Sequence, residues 1–508
     1  DVQKTIDFKE KLLMLFILGY CFYYLSVSII VCWPFTTDDA YISWTYARQL
    51  AQGMGLDWQP GARSEGYSNF LWVIINFILL KLHISLPVGC KLISLASLGV
   101  TLGGIYRISR FFVSPLLAIL PVFIFSHYIG VAWWTVSGLE TLFYCALAVS
   151  LIWQLFVLIT KASSQDVSLT TWAGCNLFLL LLALTRFEGL IWWIPVLGVL
   201  GCQFKDTRAI TKSLVIKMFA VTFVVFIAPY GLYLAWRWFY FGTLLPNSYS
   251  CKALTGSVGI VDLDFIRVLM PLVIASLPCF LLPPRDCRYW ALLSPVLVYL
   301  VLLLQAESVA AYLGRLFMAP LALYSVLAML GIQKLLLYCR INDWEMKLIT
   351  CFTLLVITFT LIPGNQLSLL KHSVTEYQSR VRNRLAVVQL LNKEGSQGAR
   401  VLLGDCGLIP FYARPDLRFI DSQCLNNPEL ARALREKRLD VYLAKLTTER
   451  PEWIIINKPV LDAGHDVVIS GLIAKGMLYH YKLIAMMHAR SQAHEAPQQY
   501  YEVYRLKS

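Results

Sequence analysis

The chain has 508 residues, of which 58% are hydrophobic and only 15% charged, and its formal net charge is +13. This composition excludes an ordinary soluble globular domain. Apolar runs of about 20 residues, the length that crosses a bilayer as a helix, recur up to residue 363 and indicate a polytopic membrane protein. The excess of Lys and Arg does not indicate nucleic-acid binding, because no basic helix with base-stacking aromatic residues is present.

Twelve apolar runs are candidate membrane spans. They cover residues 11–33, 67–86, 88–106, 111–134, 138–160, 169–185, 188–203, 214–240, 265–283, 289–306, 314–338 and 347–363. The first run follows lysines and ends without a small-residue cleavage site, so we predict that it is a retained signal anchor.

The loops between these runs predict the orientation of the chain, since basic clusters stay on the cytoplasmic side. The clusters are Lys4/Lys9/Lys11, Arg107/Arg110, Lys205/Arg208/Lys212/Lys217, Arg285/Arg288 and Arg340/Lys347. The alternate loops and everything after Pro363 then lie outside the cytoplasm. A cytoplasmic N-terminus requires an odd number of crossings, so we expect a re-entrant or broken run between residues 67 and 134, near Pro87, Pro115 or Pro121. The total is predicted to be eleven to thirteen spans.

Charged residues recur every few positions after Pro363, which predicts a second domain. We expect a transmembrane catalytic module at 1–363, with its first extracytoplasmic loop and interfacial helices at 34–66, and a soluble extracytoplasmic α/β domain at 364–508. Helical spacing marks residues 376–395, and strands are predicted at 401–405, 418–422, 453–457 and 500–506. The thirteen cysteines show no metal-binding spacing, and a disulfide between Cys406 and Cys424 is one option here.

A pair of carboxylates, Asp38 and Asp39, opens the stretch TTDDAYISWTYARQLAQGMG directly after the first apolar run. Apolar residues then recur at helical spacing, as in an amphipathic helix lying on the membrane interface, with the two carboxylates at its N-terminus. One Asp would serve as a helix cap. The second is left over, so we predict that the pair acts as a general base or holds a hard divalent cation.

Further polar residues occur at the extracytoplasmic edges of later spans. They are Glu140 in SGLE, Arg186 and Glu188 in LTRFEG, Arg237, Asn247, Tyr249 and Lys252 in WRWFYFGTLLPNSYSCK, and Glu307 and Arg315 in ESVAAYLGRLFMAP. Singly, each is explained as well by a structural role, either a snorkelling helix end or an ion pair between helices, as by a functional one. Together, on the face that carries Asp38 and Asp39, they favour one shared polar cavity in which cations neutralise a phosphate.

Several short motifs occur in order along nearly the whole chain: TTDDAYIS, YARQLAQGMG, EGYSNFLW, SGLETLF, FGTLLPNSYSCKA, RLFMAP and GDCGLIPFYA. In combination they resemble the polyprenyl-phosphate-dependent glycosyltransferases of the C-type membrane fold (GT-C), and among these the terminal arabinofuranosyltransferases of mycobacteria. The resemblance implies a multi-pass enzyme of the inner (cytoplasmic) membrane whose active site faces the periplasm or the outside. Such an enzyme takes a sugar, here arabinofuranose or a related one, from a polyprenyl-phosphate donor and inverts the anomeric centre.

Carried to this chain, the resemblance implies a role for each polar group. Asp38 or Asp39 deprotonates the acceptor hydroxyl, and between them we favour Asp38. The donor phosphate and sugar are expected at Arg237, Asn247, Tyr249, Lys252 and Arg315. Cavity and acceptor contacts are expected from Tyr41, Arg48, Glu65, Tyr67, Glu140, Arg186 and Glu188. A divalent cation (Mg²⁺, Mn²⁺ or Ca²⁺) on the two Asp residues is left open, because relatives differ.

The expected partners are the lipid-linked donor, membrane lipids and a glycan, lipid or protein acceptor. Relatives often carry a GGD-like acidic motif ahead of the Arg near residue 314, where this chain reads QAESVAAYLGRLF, so either Glu307 substitutes or the acceptor site differs. Two alternatives stay open at this stage. One is a transporter or flippase of lipid-linked sugars, although no paired halves are found. The other is a protein O-mannosyltransferase-like enzyme.

Overall fold

The computed structural model describes residues 8–61, 63–162, 168–205, 211–247, 251, 263–283, 286–303, 312–361, 366–462, 466–488 and 500–507. Its helices, numbered in chain order, are α1 Phe8–Cys32, α2 Asp38–Ala51, α3 Phe70–Lys81, α4 Leu86–Ser109, α5 Pro115–His127, α6 Ile129–Thr135, α7 Thr141–Ala162, α8 Leu169–Thr185, α9 Trp193–Lys205, α10 Lys212–Thr222, α11 Ala228–Phe241, α12 Leu263–Ser276, α13 Pro278–Leu281, α14 Cys287–Leu303, α15 Met318–Tyr338, α16 Asp343–Leu361, α17 Gln366–Glu394, α18 Leu408–Tyr412, α19 Pro428–Arg435, α20 Leu439–Glu449, α21 Lys458–Asp462 and α22 Val467–Ala474. Its strands are β1 Arg400–Leu403, β2 Arg418–Asp421, β3 Trp453–Asn457, β4 Tyr481–His488 and β5 Tyr500–Leu506.

The chain folds into two compact units. Unit 1 comprises Asp1–Trp33, Cys90–Leu234 and Ser257–Leu370, and unit 2 comprises Pro34–Gly89, Ala235–Gly256 and Lys371–Ser508. Unit 2 therefore contains the first loop together with the C-terminal residues. The domain boundary after residue 363 stays a prediction.

Long apolar helices confirm that the protein is an α-helical, multi-pass membrane protein. Within the described residues, the helical runs long and apolar enough to cross a bilayer are Phe8–Cys32, Leu86–Ser109, Thr141–Thr160, Lys212–Phe241 and Leu313–Tyr338. Shorter apolar helices are Phe70–Lys81, Leu169–Thr185, Phe187–Cys202, Leu269–Leu281 and Cys287–Val301. Each of these corresponds to an apolar run of the sequence, and the total of eleven to thirteen spans stays a prediction.

Two of the early apolar runs do not form a single straight span. A re-entrant or broken run was expected between residues 67 and 134. Helix α3 has 12 residues, which gives a length of about 18 Å against the roughly 30 Å of a hydrocarbon core. The run around residues 111–134 forms α5 and α6, which meet at an angle of 68°. The break falls at Tyr128, whose backbone is extended, whereas Pro115 lies in the first turn of α5 and Pro121 is tolerated inside it.

An ion pair in unit 1 orients its first and last long helices. Lys347 near the start of α16 contacts Glu10 near the start of α1, with 2.7 Å between Nζ and Oε1. Towards the other ends of these helices, the Tyr24 ring stacks on His127 at 4.4 Å, and Gln366 donates to the His127 carbonyl oxygen at 3.2 Å. Helices α1 and α16 therefore run in the same direction through unit 1, and the odd number of crossings stays a prediction.

Unit 2 contains a five-stranded sheet in the order β2-β1-β3-β5-β4. Strands β1, β2 and β3 are parallel, and β5 runs antiparallel between β3 and β4. The four predicted strands are confirmed, and the helix predicted at 376–395 is the C-terminal part of α17. Strand β4 was not predicted, because YKLIAMMH has little β-branched content and its pairing with β5 depends on tertiary context.

The topology of this sheet brings three polar residues to one edge. Asp405 follows β1, Asp421 ends β2 and Asn457 ends β3. Since the three strands are parallel, their carboxyl ends share an edge, and β1 has a parallel neighbour on either side. The crevice outside the carboxyl ends of such strands is where open α/β sheets bind ligands.

The disulfide differs from the one considered from the sequence. Cys424 is bonded to Cys251, with 6.0 Å between their Cα atoms, and Cys406 is a buried free thiol. The Cys406–Cys424 option is therefore wrong. In the topology predicted from the sequence, Cys251 lies in an extracytoplasmic loop. It was therefore as suitable a partner for Cys424 as Cys406 was.

Candidate functional site

Helix α2 begins with the carboxylate pair. Thr37 is the N-cap residue and forms no side-chain cap bond, so Asp38 and Asp39 both lie in the first turn, where the helix dipole favours negative charge. The alternative that one Asp is the cap is wrong. The polar face of the helix is packed as well as the apolar face: Ser43 and Thr45 are both buried. Ser43 donates to Asn69 at 3.0 Å.

The Asp38 carboxylate is held by residues that follow β1. Its Oδ1 accepts a hydrogen bond from the Leu408 backbone N–H at 3.0 Å and lies 3.5 Å from the Nε of Arg384 on α17. Gly407 packs against it so closely that a Cβ there would lie 2.6 Å from Oδ2 and 2.1 Å from the Asp38 carbonyl oxygen. The Asp38 side chain is 18% exposed, whereas Asp39 is exposed.

Arg384 connects Asp38 to a second carboxylate. Its Nε donates to Asp405 Oδ2 at 3.1 Å, and its side chain is only 8% exposed. Asp405 also accepts hydrogen bonds from Asn457 Nδ2 at 3.2 Å and from the Tyr501 hydroxyl. One guanidinium is thus shared by two carboxylates, which leaves this group of three side chains with a net negative charge when all are ionised.

The environment of Asp38 favours its protonated form more than water does. Burial raises the pKa of Asp38 above its ordinary value, the Arg384 guanidinium opposes this increase, and the neighbouring Asp405 charge adds to it. A carboxyl group with a raised pKa is a stronger proton acceptor when ionised. Asp38 therefore combines a fixed orientation with increased basicity.

Aromatic and cationic contacts attach α18 to α2. The Arg48 guanidinium lies 4.4 Å from the centroid of the Phe411 ring, and its Nη1 donates to the Phe411 carbonyl oxygen at 2.7 Å. The Tyr41 ring packs edge-on against Phe411 at 5.4 Å and lies 5.8 Å from the half-exposed ring of Tyr412. Tyr41 and Arg48, both predicted to line the cavity, thus fix the segment that holds Asp38.

Glu65 and Arg237 form a buried ion pair in unit 2. Arg237 Nη2 and Nε donate to Glu65 Oε2 at 2.6 and 3.1 Å, and both side chains are 3% exposed. Asn247 is also buried and donates to Ser64 Oγ at 3.0 Å. The buried Tyr67 ring packs against Tyr46. Arg237 and Asn247 thus hold the first loop through these contacts, and their expected role at the donor stays a prediction.

Replacing Glu65 by Ala is expected to destabilise the protein by about 3–5 kcal/mol, because it leaves the Arg237 charge buried without its counter-ion. Burial raises the pKa of Glu65 to about 7, against the opposing charge of Arg237, so unfolding is measured at pH 8, where the carboxyl is mostly ionised. Glu436→Ala is the control, since its pair with Arg438 is 47% and 69% exposed and costs at most about 1 kcal/mol to remove. Equal unfolding midpoints for the two variants would contradict the assignment of Glu65 as the buried counter-ion of Arg237.

Unit 1 contains a separate polar cluster around Arg186. The Arg186 guanidinium donates to Glu140 at 2.5 Å and also to Glu188, and Glu140 is fully buried. Beside this pair, the hydroxyls of Tyr144 and Tyr299 are 2.7 Å apart. A small pocket in unit 1 is lined by Arg186, Glu188, Tyr144, Tyr299 and Arg315 together with Thr141 and residues 316, 318 and 319.

Arg315 follows a strained turn. Leu313 and Gly314 both adopt left-handed backbone conformations, with φ of 46° and 65°. The Leu313 carbonyl oxygen accepts a hydrogen bond from Trp134 Nε1 at 3.1 Å, and the Arg315 guanidinium lies 5.5 Å from the Trp134 ring centroid. A left-handed leucine costs about 1–3 kcal/mol and is typical of functional sites. The turn directs Arg315 to the pocket that also contains Arg186.

Comparison with known proteins identifies the fold. Residues 371–504 match the sequence family described as Domain of unknown function (DUF8728), and no curated protein matches the chain. Among solved structures, ArnT from Cupriavidus metallidurans bound to undecaprenyl phosphate aligns over 97% of this chain and 98% of its own, with a TM-score of 0.56 and 11% identity. AglB, an oligosaccharyltransferase from Archaeoglobus fulgidus in complex with an inhibitory peptide and a dolichol-phosphate, aligns over 88% of this chain and 70% of its own, with a TM-score of 0.52 and 12% identity.

The chain has the GT-C fold. The fold predicted from the motifs is therefore confirmed. The arabinofuranosyltransferase AftD from Mycobacteria aligns over 96% of this chain and 42% of its own, with a TM-score of 0.47 and 14% identity, and kinship to arabinofuranosyltransferases in particular stays a prediction.

The predicted site residues of this GT-C chain divide between the two units. Unit 2 holds Asp38, Asp39, Tyr41, Arg48, Glu65, Tyr67, Arg237 and Asn247, and unit 1 holds Glu140, Arg186, Glu188 and Arg315. Tyr249, Lys252 and Glu307 lie outside the described residues. The structure brings Arg186, Glu188 and Arg315 to one pocket, and the single cavity shared by all of these residues stays a prediction.

Four residues near Asp38 were not predicted from the sequence. Arg384 faces Asp38, and Asp405 binds Arg384, Asn457 and Tyr501. A signal was present, because Asp405 and Asn457 each end a predicted strand, and parallel strands place such residues at one edge. The sequence did not show which strands are parallel.

The divalent cation considered for Asp38 and Asp39 stays a prediction. In the described part of the chain, no group of three or more His, Cys, Asp or Glu side chains is arranged to hold a metal ion. Asp38 Oδ1 already faces the Leu408 N–H and Arg384. No step of the reaction is therefore assigned to a metal.

Proposed function

We propose that the protein is an inverting glycosyltransferase that moves a sugar from a polyprenyl-phosphate donor to a hydroxyl group of an extracytoplasmic glycan, lipid or protein. The observation that carries this proposal is the partly buried, oriented carboxylate of Asp38 at the start of α2 in a chain with the GT-C fold. Arabinofuranose or a related sugar is the donor sugar that the sequence motifs favour.

The reaction is a single displacement. The acceptor oxygen attacks the anomeric carbon of the donor while Asp38 accepts the proton of the acceptor hydroxyl. The bond from the anomeric carbon to the phosphate oxygen breaks, and the polyprenyl phosphate leaves with the electron pair. Attack from the face opposite the phosphate inverts the anomeric centre. Base catalysis of this kind contributes about 10²–10⁴-fold to the rate.

Arg315, which lines the small pocket of unit 1, is proposed to contact the donor's phosphate. Arg315 carries the charge that stabilises the departing phosphate. Arg186 is already paired with Glu140 and Glu188, so its role is to orient these carboxylates. The ArnT structure contains bound undecaprenyl phosphate, and the AglB complex contains a dolichol-phosphate. Both support a lipid phosphate as the leaving group.

The disulfide supports an extracytoplasmic position for unit 2. Structural disulfides persist in oxidising compartments and are rare in the cytosol, and Cys251–Cys424 joins two segments of unit 2. This agrees with the positive-inside orientation, in which the active site faces the periplasm or outside of the inner membrane.

The test is a transfer assay with the purified protein and radiolabelled polyprenyl-phosphate sugars, pentoses and hexoses separately. We expect one donor to lose its label to an acceptor in a membrane extract, with release of polyprenyl phosphate, and a much slower loss with Asp38→Asn. Consumption of no lipid-linked monophosphate sugar would contradict the proposal. If the intact donor instead crosses the bilayer of proteoliposomes, the protein is a flippase.

A further inference from the structure

The carboxyl edge of the parallel strands in unit 2 is filled by a side chain from α17. Asp405 follows β1, Asn457 ends β3, and Tyr501 pairs with Asn457 across β3 and β5. In open α/β sheets this crevice holds the ligand. Here Arg384 lies in it and contacts Asp38 on one side and Asp405 on the other.

We propose that the C-terminal domain matched by the family of unknown function positions the catalytic carboxylate, with Arg384 and the Gly407–Leu408 turn as the positioning residues for Asp38. This inference rests on the proposed function, since it gives Asp38 the role of base. It assigns to residues 371–504 a part in the transfer step itself.

Arg384 orients Asp38 without fully neutralising it. Its Nε donates to Asp405 at 3.1 Å, whereas the separation from Asp38 Oδ1 is 3.5 Å, which is too long for a strong hydrogen bond. Asp405 is fixed in turn by Asn457 and Tyr501. The guanidinium is therefore anchored on the sheet side, and Asp38 keeps the charge that a proton acceptor needs.

Glycine at position 407 leaves the space that Asp38 needs. The φ of Gly407 is −90°, which other residues also adopt, so a left-handed backbone is not the reason for glycine here. A Cβ would come within 2.6 Å of Asp38 Oδ2 and within 2.1 Å of its carbonyl oxygen. An alanine at this position forces the Asp38 backbone or the turn to move, and with it the carboxylate.

The kinetic test uses the full-length protein in detergent or proteoliposomes. Arg384→Gln and Gly407→Ala are each expected to lower kcat about 100-fold, because displacements near 1 Å cost rates of this order, while KM for the polyprenyl-phosphate donor stays within about twofold of wild type. Arg384→Lys keeps the positive charge but loses the planar guanidinium. Its kcat is expected to be about tenfold higher than that of Arg384→Gln.

Matched variants separate positioning from general damage. Arg382→Gln removes an exposed arginine from the same helix, and Gly471→Ala crowds the Leu443 side chain of unit 2 instead of Asp38. Both are expected to keep the wild-type kcat. Unfolding temperatures of all variants are compared, and Arg384→Lys keeps the inference testable if Arg384→Gln does not fold.

A second readout does not depend on activity. Hydrogen exchange of peptides covering 404–413 reports the Leu408 amide that donates to Asp38. We expect faster exchange in Asp38→Ala and Arg384→Gln than in wild type, and no change in Asp39→Ala. Wild-type kcat in both Arg384→Gln and Gly407→Ala, with Asp38→Asn inactive, would overturn the inference and leave the proposed function intact. Unchanged exchange in Asp38→Ala would overturn it as well, whatever the activity.

Discussion

Replacing Asp38 by Asn is expected to lower kcat for sugar transfer by about 10²–10⁴-fold, the range that a lost general base costs. The amide has nearly the same shape and its oxygen can still accept the Leu408 hydrogen bond, but it cannot take a proton from the acceptor hydroxyl. KM for the polyprenyl-phosphate donor should change little, because Asp38 acts on the acceptor. Steady-state kinetics with the radiolabelled donor measure both constants.

Asp39→Asn is the matched control, because it removes the same charge from the adjacent position in the first turn of α2. We expect a loss below about tenfold, since Asp39 is exposed whereas Asp38 is held by Leu408 and Arg384. The reverse order, with Asp39→Asn inactive and Asp38→Asn near wild type, would show that Asp39 is the base and that Asp38 only anchors the turn after β1.

The pH dependence gives an independent check on Asp38. The base must be ionised to act, so kcat/KM falls as the pH drops through its pKa. Burial raises the pKa of Asp38, and we therefore expect the acidic decline of the wild type to be centred above the ordinary Asp value of about 3.9. A midpoint at or below that value would contradict a buried carboxylate as the base.

The membrane helices could be predicted from the sequence because bilayer thickness dictates the length of an apolar run. Helix α3 shows the limit of this rule. Residues 67–86 are apolar enough to read as a span, yet the helix covers only Phe70–Lys81 and packs within unit 2. Likewise, the break at Tyr128 carries no proline. Apolar character alone does not distinguish a helix buried by protein from one buried by lipid.

Only one part of the candidate site could be predicted from the sequence. Asp38 was predicted because two charges beside an apolar run are costly unless they have a role. Arg384 and Leu408 lie far from Asp38 in the sequence. Leu408 is 370 positions from Asp38. Their contact with Asp38 depends on the parallel pairing of β1 with β2 and β3 and on the packing of α2 against α18, and no local pattern encodes those.

Removing the Cys251–Cys424 disulfide is expected to destabilise unit 2 strongly. The bond closes a loop of 173 residues, for which the chain-entropy relation gives about 5 kcal/mol, and measured losses for native disulfides are about 2–5 kcal/mol. For a unit of this size, such a loss lowers the unfolding temperature by about 10 °C. The same bond fixes Cys251, which belongs to the PNSYSCK motif, next to the core formed by Leu402, Ile454 and Leu430.

The measurement is thermal unfolding of wild type, Cys251→Ser and Cys424→Ser with and without a reducing agent. The wild type should lose stability on reduction and approach the two variants, which should not respond, because the bond is already absent. Cys339→Ser is the control, since Cys339 is an exposed free thiol. If transfer activity falls together with stability in Cys251→Ser, the motif around residue 251 must be held against unit 2 for the enzyme to work. If reduction leaves the wild type unchanged, the bond does not form in the folded protein, and the argument that unit 2 lies in an oxidising compartment fails with it.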